Sequence, residues 1–210
     1  MPLDRSAVSG LTFIVGTAAL FLTLALPGCG DGGDTASTDG GSAVEEEPQS
    51  TWDGELTIEI RDWEGVQQMV AERKGKVVVL DVWTIWCEPC VEEFPAFVDL
   101  QHKYGEEVAC IGVNTAYTGL DEDFKNEVEP SYLEPKVREF LEEQGADFPN
   151  VICSVPDEQL YEKIGTVVPS VFVYDQNGEL RQLFNENEYP DGFTYEADIE
   201  PLVRTLLEEN

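Results

Sequence analysis

The stretch KVVVLDVWTIWCEPCVEEFP, residues 76–95, decides how the rest of the chain is read. Lys76 to Trp83 is a near-continuous run of β-branched and other apolar residues, the pattern of a strand buried on both faces. Asp81 breaks the run, and a charge placed there is costly unless it serves a purpose. A helix follows from about Cys87, with Phe94, Phe97, Val98 and Tyr104 inward and Pro95 expected to kink it. Cys87-Glu88-Pro89-Cys90 therefore lies at a strand-to-helix junction. There the unpaired N–H groups and the dipole of the helix favour an anion, which lowers the pKa of the first thiol. Cys87 reads as a nucleophile and Cys90, one turn in, as a more buried resolving thiol. The competing readings are a static disulfide or half of a zinc knuckle. Four-cysteine zinc would have to recruit Cys110 and Cys153 from the middles of apolar strands, which is poor geometry.

Working outward, Leu56 to Ile60 alternates and reads as an edge strand. A helix with Trp63, Val66, Met69 and Val70 on one stripe follows, closed at Lys74-Gly75. Beyond the dithiol, Val108 to Val113 is another buried strand and Ala116 to Pro135 an acidic loop. Val137, Phe140 and Leu141 mark a helix to Gln144, Val151 to Ser154 a short strand, and Glu158 to Ile164 a short helix. Ser170 to Asp175, then Asn177-Gly178, then Leu180 to Phe184 is a hairpin with a strong turn signal. Tyr195, Ile199, Leu202, Val203 and Leu206 give a closing helix. The order predicts an α/β domain over residues 51–210: a mixed sheet, parallel strands first and an antiparallel hairpin last, with helices on both faces. Cys110 and Cys153 read as small buried hydrophobes, or as a second disulfide if their strands are neighbours. His102 has no partner motif and reads as a surface or capping residue.

Val8 to Leu26 is a mostly apolar run behind a short start carrying Arg5, and Pro27-Gly28-Cys29 follows at once. An uncleaved anchor is one reading, since the run nearly spans a bilayer core; an export signal is the other. Leu26-Pro27-Gly28-Cys29 resembles the lipobox of bacterial lipoproteins, with Pro at the second position a departure from the commonest pattern. That resemblance implies a signal over residues 1–28, removed by cleavage, and a lipid on Cys29. Gly30 to Ser50 holds six acids, no base and almost nothing apolar, so it cannot offset its ordering entropy by burial. Residues 29–50 then read as a lipid-anchored flexible linker reaching roughly 25 Å, which places the domain outside the cytoplasm.

Charge and composition exclude other classes. Over 210 residues, 43 acids against 12 bases give a net charge of −31, which opposes nucleic acid and anionic headgroup surfaces. Hydrophobic content of 42% suffices for a packed core. One His and five Cys make a multi-ligand metal site hard to assemble.

Val82 to Pro95 resembles the active-site stretch of the thioredoxin superfamily and is most similar to its TlpA/ResA group of membrane-tethered thiol-disulfide oxidoreductases. Val168-Pro169-Ser170 fits that superfamily's cis-proline loop and Val173 to Gly178 the hairpin after it. The helix and strand between Ala116 and Ser154 fit the insertion that distinguishes the group from plain thioredoxins. The resemblance implies a thioredoxin-like fold and a protein-disulfide reductase, working as a monomer. Its implied partners are exported proteins with cysteine pairs and a membrane or periplasmic thiol reductant, with cytochrome c maturation a frequent task. It needs no cofactor beyond a redox-active Cys87–Cys90 pair. It implies that Trp86, Pro89, Val168 and Pro169 frame an extended client. Asp81 matches the buried aspartate of thioredoxins, where TlpA/ResA proteins more often have a neutral residue. Glu93 matches a cavity glutamate of the ResA-like proteins; a solvated helix face is its bland reading. Two rivals stand beside this: an oxidase or isomerase of exported proteins, and a copper-handling binding module. Glu-Pro between the cysteines argues against a strongly acidified, oxidising thiol. The copper module would want C-x-x-x-C and a nearby His or Met.

Overall fold

The structure, a computed structural model, describes residues 54–122 and 125–209. The N-terminal apolar run, Cys29 and the acidic spacer, with the expectations attached to them, lie outside the described residues. The elements are β1 (Thr57–Arg61), α1 (Trp63–Ala71), β2 (Val77–Trp83), α2 (Glu88–Tyr104), β3 (Val108–Asn114) and α3 (Glu134–Gln144). Then come β4 (Pro149–Cys153), α4 (Asp157–Ile164), β5 (Ser170–Tyr174), β6 (Leu180–Phe184) and α5 (Glu200–Glu208). The strands form one sheet in the order β1-β4-β3-β2-β5-β6. The first four are parallel and the last two antiparallel, the mixed arrangement that the element order predicts.

β2 lies near the middle of the sheet and every one of its residues is buried. Its alternation sends Val77, Val79 and Trp83 to one face, with Phe94, Phe97, Val137, Leu141, Ile199 and Val203 of α2, α3 and the C-terminal segment. Val78, Leu80 and Val82 go to the other, against Val66, Met69 and Val70 of α1 and Leu160 of α4. Asp81 has the parity of Val79 and Trp83, so it faces the α2 side. Burial of each such side chain contributes roughly 1.5–3 kcal/mol, so this central strand anchors both layers. Trp83, Phe94, Phe97 and Phe140 form an aromatic cluster with centroids 4.7–5.6 Å apart that seats α2. Gly112 of β3 is required by close approach: a Cβ there would stand 2.0 Å from Asn150 Oδ1.

Three details depart from the sequence reading. Helix α1 stops at Ala71, short of Lys74-Gly75, because Arg73 takes the Val70 and Met69 carbonyls and the chain turns through Gly75 at φ 95°. The acidic segment after β3 is partly built: Leu120 and Glu127 pair as an isolated bridge, and Pro130–Leu133 makes a 3-10 turn leading into α3. The closing helix begins as a wide π turn over Tyr195–Ile199, with Ile199 N–H reaching back five residues to Thr194 O at 3.3 Å. Among the described residues no helix is long and apolar enough to cross a membrane.

Candidate active site

β2 ends at Trp83, the chain turns through Thr84, and α2 starts at Glu88 with Cys87 as its N-cap. Cys87 N–H donates to Thr84 O at 3.1 Å, and Cys90 N–H points at Cys87 Sγ at 3.3 Å. Pro89, in the first turn of the helix, removes a donor that would have no helical partner anyway. Cys87 and Cys90 are bonded to each other, their Cα atoms 5.2 Å apart. Cys87 is half-buried and Cys90 is 3% exposed, so of the two sulfurs the outer one is the more open to solvent.

Behind Cys90 lies a small cavity of about 30 Å³, bounded by Asp81, Cys90, Glu93, Pro169, Phe193 and Tyr195 among others. Its volume is enough for a water molecule. Asp81 is 4% exposed, and Tyr195 Oη donates to its Oδ2 at 2.8 Å. Burial pushes the Asp81 carboxyl up to about 7; the Tyr195 hydrogen bond opposes that rise and the neighbouring Glu93 charge adds to it. Tyr195 N–H donates to Glu93 Oε2 at 2.9 Å, so one residue holds both carboxylates of the cavity. Burial and the Asp81 charge push the Tyr195 hydroxyl well above its ordinary range, so it stays a donor.

Tyr195 is the site residue that sequence reasoning missed, taking it only as part of an apolar stripe. One signal was available: a buried tyrosine hydroxyl and a buried aspartate each need a partner. Its ring lies against Phe97 of α2, centroids 5.4 Å apart, and its hydroxyl meets Asp81 of β2.

The Val168–Pro169 peptide is cis, and Pro169 lines the same cavity as Cys90. The turn before it is held by Ser170 Oγ, which donates to Val167 O at 2.5 Å and meets Thr166 Oγ1 at 2.9 Å. Val168 is half-buried, and Val167 and Trp86 are 51% and 59% exposed. The structure thus gathers Asp81, Pro89, Cys90, Glu93 and Pro169 around one cavity, with Cys87 and Trp86 on the adjoining turn. Glu88 is exposed.

The remaining candidates fall elsewhere. Cys110 and Cys153 are free and buried, and they belong to the cores on opposite faces of the sheet. β3 and β4 are neighbours, yet opposite side-chain parity keeps the two thiols apart. His102 pairs with Asp147 at 2.9 Å, between α2 and the start of β4. Among the described residues no group of three or more His, Cys, Asp or Glu is arranged to hold a metal ion.

Several known proteins resemble this chain. The "Thioredoxin-like protein YneN" of Bacillus subtilis is 27% identical over 119 residues, 57% of this chain and 62% of its own length. The "Thiol-disulfide oxidoreductase ResA" of Geobacillus kaustophilus is 30% identical over 127 residues, 59% of this chain and 63% of its own length. The chain therefore matches less than two thirds of the length of these relatives. Among solved structures, a thiol-disulfide isomerase from Corynebacterium glutamicum superposes with a TM-score of 0.52 at 22% identity. That match covers 74% of this chain and 96% of that one, and shows a shared thioredoxin-like fold. The Redoxin family model matches residues 59–200, from the edge strand into the last helix and across the whole dithiol cavity. The chain belongs to the Redoxin family.

Proposed function

We propose that the protein is a thiol-disulfide oxidoreductase that reduces disulfides in exported proteins outside the cytoplasm, tethered through a lipid on Cys29. The observation that carries the exchange chemistry is the arrangement of the Cys87–Cys90 bond: outer sulfur at a helix N-terminus, inner sulfur against an acid-lined cavity. In the reduced protein the Cys87 thiolate attacks one client sulfur, the client disulfide breaks, and the other client sulfur leaves as a thiolate. Cys90 then loses its proton to Asp81 across the cavity and attacks Cys87. The mixed disulfide breaks, the second client sulfur is released, and the two electrons given to the client leave Cys87–Cys90 oxidised. An external thiol reductant restores the dithiol, and no further cofactor enters. Trp86, Pro89, Val168 and Pro169 offer an apolar rim with backbone groups for an extended client peptide. Apocytochrome c, a protein with paired cysteines, fits this description as one client.

Equilibration with glutathione or dithiothreitol buffers tests the direction. A reductase requires a potential near that of thioredoxin, about −270 mV, rather than near a strong oxidant at about −120 mV. A value toward the upper figure would replace the reductase with an oxidase. The tether has its own expected result: mass spectrometry of the protein from its native membrane should find a mature chain beginning at a lipid-modified Cys29. An intact Met1-to-Gly28 segment would overturn cleavage and lipidation together.

A further inference from the structure

A second depression adjoins the dithiol turn and shares no lining residue with the cavity behind Cys90. It is a groove of about 470 Å³ between the Thr84–Trp86 turn, the segment after β3, the entry to α3 and the start of α4. Trp86, Leu120 and Tyr132 line it, and they are three of the six large apolar side chains exposed among the described residues. Such apolar surface gathered at one place beside a reactive centre marks an interaction site. The remaining lining is acidic in balance: Asp121, Glu122 and Asp157 against Lys136, which is itself paired with Glu122. Asp157 Oδ1 is shut off from solvent and has no hydrogen-bond partner. Burial pushes that carboxyl up to about 6, while a hydrogen bond from its own backbone N–H opposes the rise.

We propose that this groove is a specificity pocket for a lysine or arginine side chain of the client, close in sequence to the client's disulfide cysteine. The inference rests on the exchange reaction proposed above. A long basic side chain matches both halves of the groove. Its methylene stem covers Trp86, Leu120 and Tyr132 while its charged head reaches the acids. A leucine would fill the apolar part and bring no cation to Asp121, Glu122 or Asp157; a glutamate would add a like charge. Thr84 and Trp86 lie within three residues of Cys87, so a side chain in the groove belongs to a residue near the attacked sulfur.

The test uses the full chain, reduced, and a set of disulfide-closed peptides carrying Arg, Leu or Glu at each of the three positions on either side of one cysteine. Glutathione disulfide serves as a probe too small to fill the groove. Arg should exceed Leu in kcat/KM by about tenfold at one or two adjacent positions, with Glu slowest. In Asp157→Asn the Arg-to-Leu ratio should fall toward one. Leu120→Arg, a change at an exposed loop residue that places a cation in the groove, should lower the same ratio even if Asp157→Asn does not fold. Equal rates for all peptides would overturn the pocket, as would an Arg preference that survives in the folded variants, since that is steering by the whole acidic surface. Failure to reduce any peptide or glutathione disulfide would instead overturn the exchange reading itself.

Discussion

Reduced Cys90→Ser protein mixed with a disulfide-bonded client should accumulate a covalent complex through Cys87. The wild type should show almost none. The expectation follows from the position of the two sulfurs. Cys87 is half-buried at the helix N-terminus and keeps its attack, whereas Cys90 sits 3% exposed within bonding distance of Cys87 Sγ. A neighbour held so close acts at a very high effective concentration, so its loss should slow release of the client by more than about a thousandfold. Neither other described thiol can substitute. Cys110 and Cys153 are both buried, and burial raises the pKa of each, so neither offers a thiolate to the mixed disulfide. Non-reducing gels and mass mapping of the trapped complex read the result. A complex linked through any cysteine other than Cys87, or release as fast as in the wild type, would remove the division of roles between the two sulfurs.

Asp81→Asn should change both stability and reactivity, each with a characteristic dependence on pH. The folded-state carboxyl titrates near 7 against 3.8 when solvated, so between those values the folded protein holds a proton that the unfolded chain has lost. Its contribution to stability is complete below about pH 4 and is lost as pH rises through about 7. Denaturation of the oxidised wild type should therefore show a falling stability across that window, and the Asp81→Asn substitution should remove the slope. In the proposed exchange Asp81 would accept the Cys90 proton only when ionised, so wild-type resolution should accelerate as pH rises through about 7. Loss of a positioned base costs about 10²-fold or more, and the variant should lose the midpoint with it. Tyr195→Phe sharpens the assignment. It deletes the hydrogen bond that favours the ionised acid, so the midpoint should move to higher pH while the fold is retained. A wild-type pH profile in both variants would reduce Asp81 and Tyr195 to structural partners of one another.

What could be read along the chain was whatever depends on local pattern. The run from Val77 to Trp83 is apolar at every position but one, and a strand with no polar parity has to be buried on both faces. The C-x-x-C spacing puts two sulfurs one helical turn apart, so the bonded pair and the order of exposure follow from helix geometry. Asp81 stood out because a carboxylate inside such a strand is anomalous. Pro169 was located through resemblance to the thioredoxin superfamily rather than through its neighbours, since nothing local distinguishes a cis from a trans bond.

The structure decided the contacts between residues distant in sequence. Tyr195 lies 114 residues after Asp81, and a helical stripe says which ring is buried but not which acid its hydroxyl meets. Cys110 and Cys153 occupy adjacent strands, so strand order alone would allow a bond between them; the register and parity of β3 against β4 forbid it. The groove beside Trp86 exists because the segment after β3, the entry to α3 and the start of α4 converge on the dithiol turn. Periodicity encodes which side of an element is apolar, because that is a property of consecutive residues. The partner across an interface is set by how elements pack, and no window of consecutive residues contains that information.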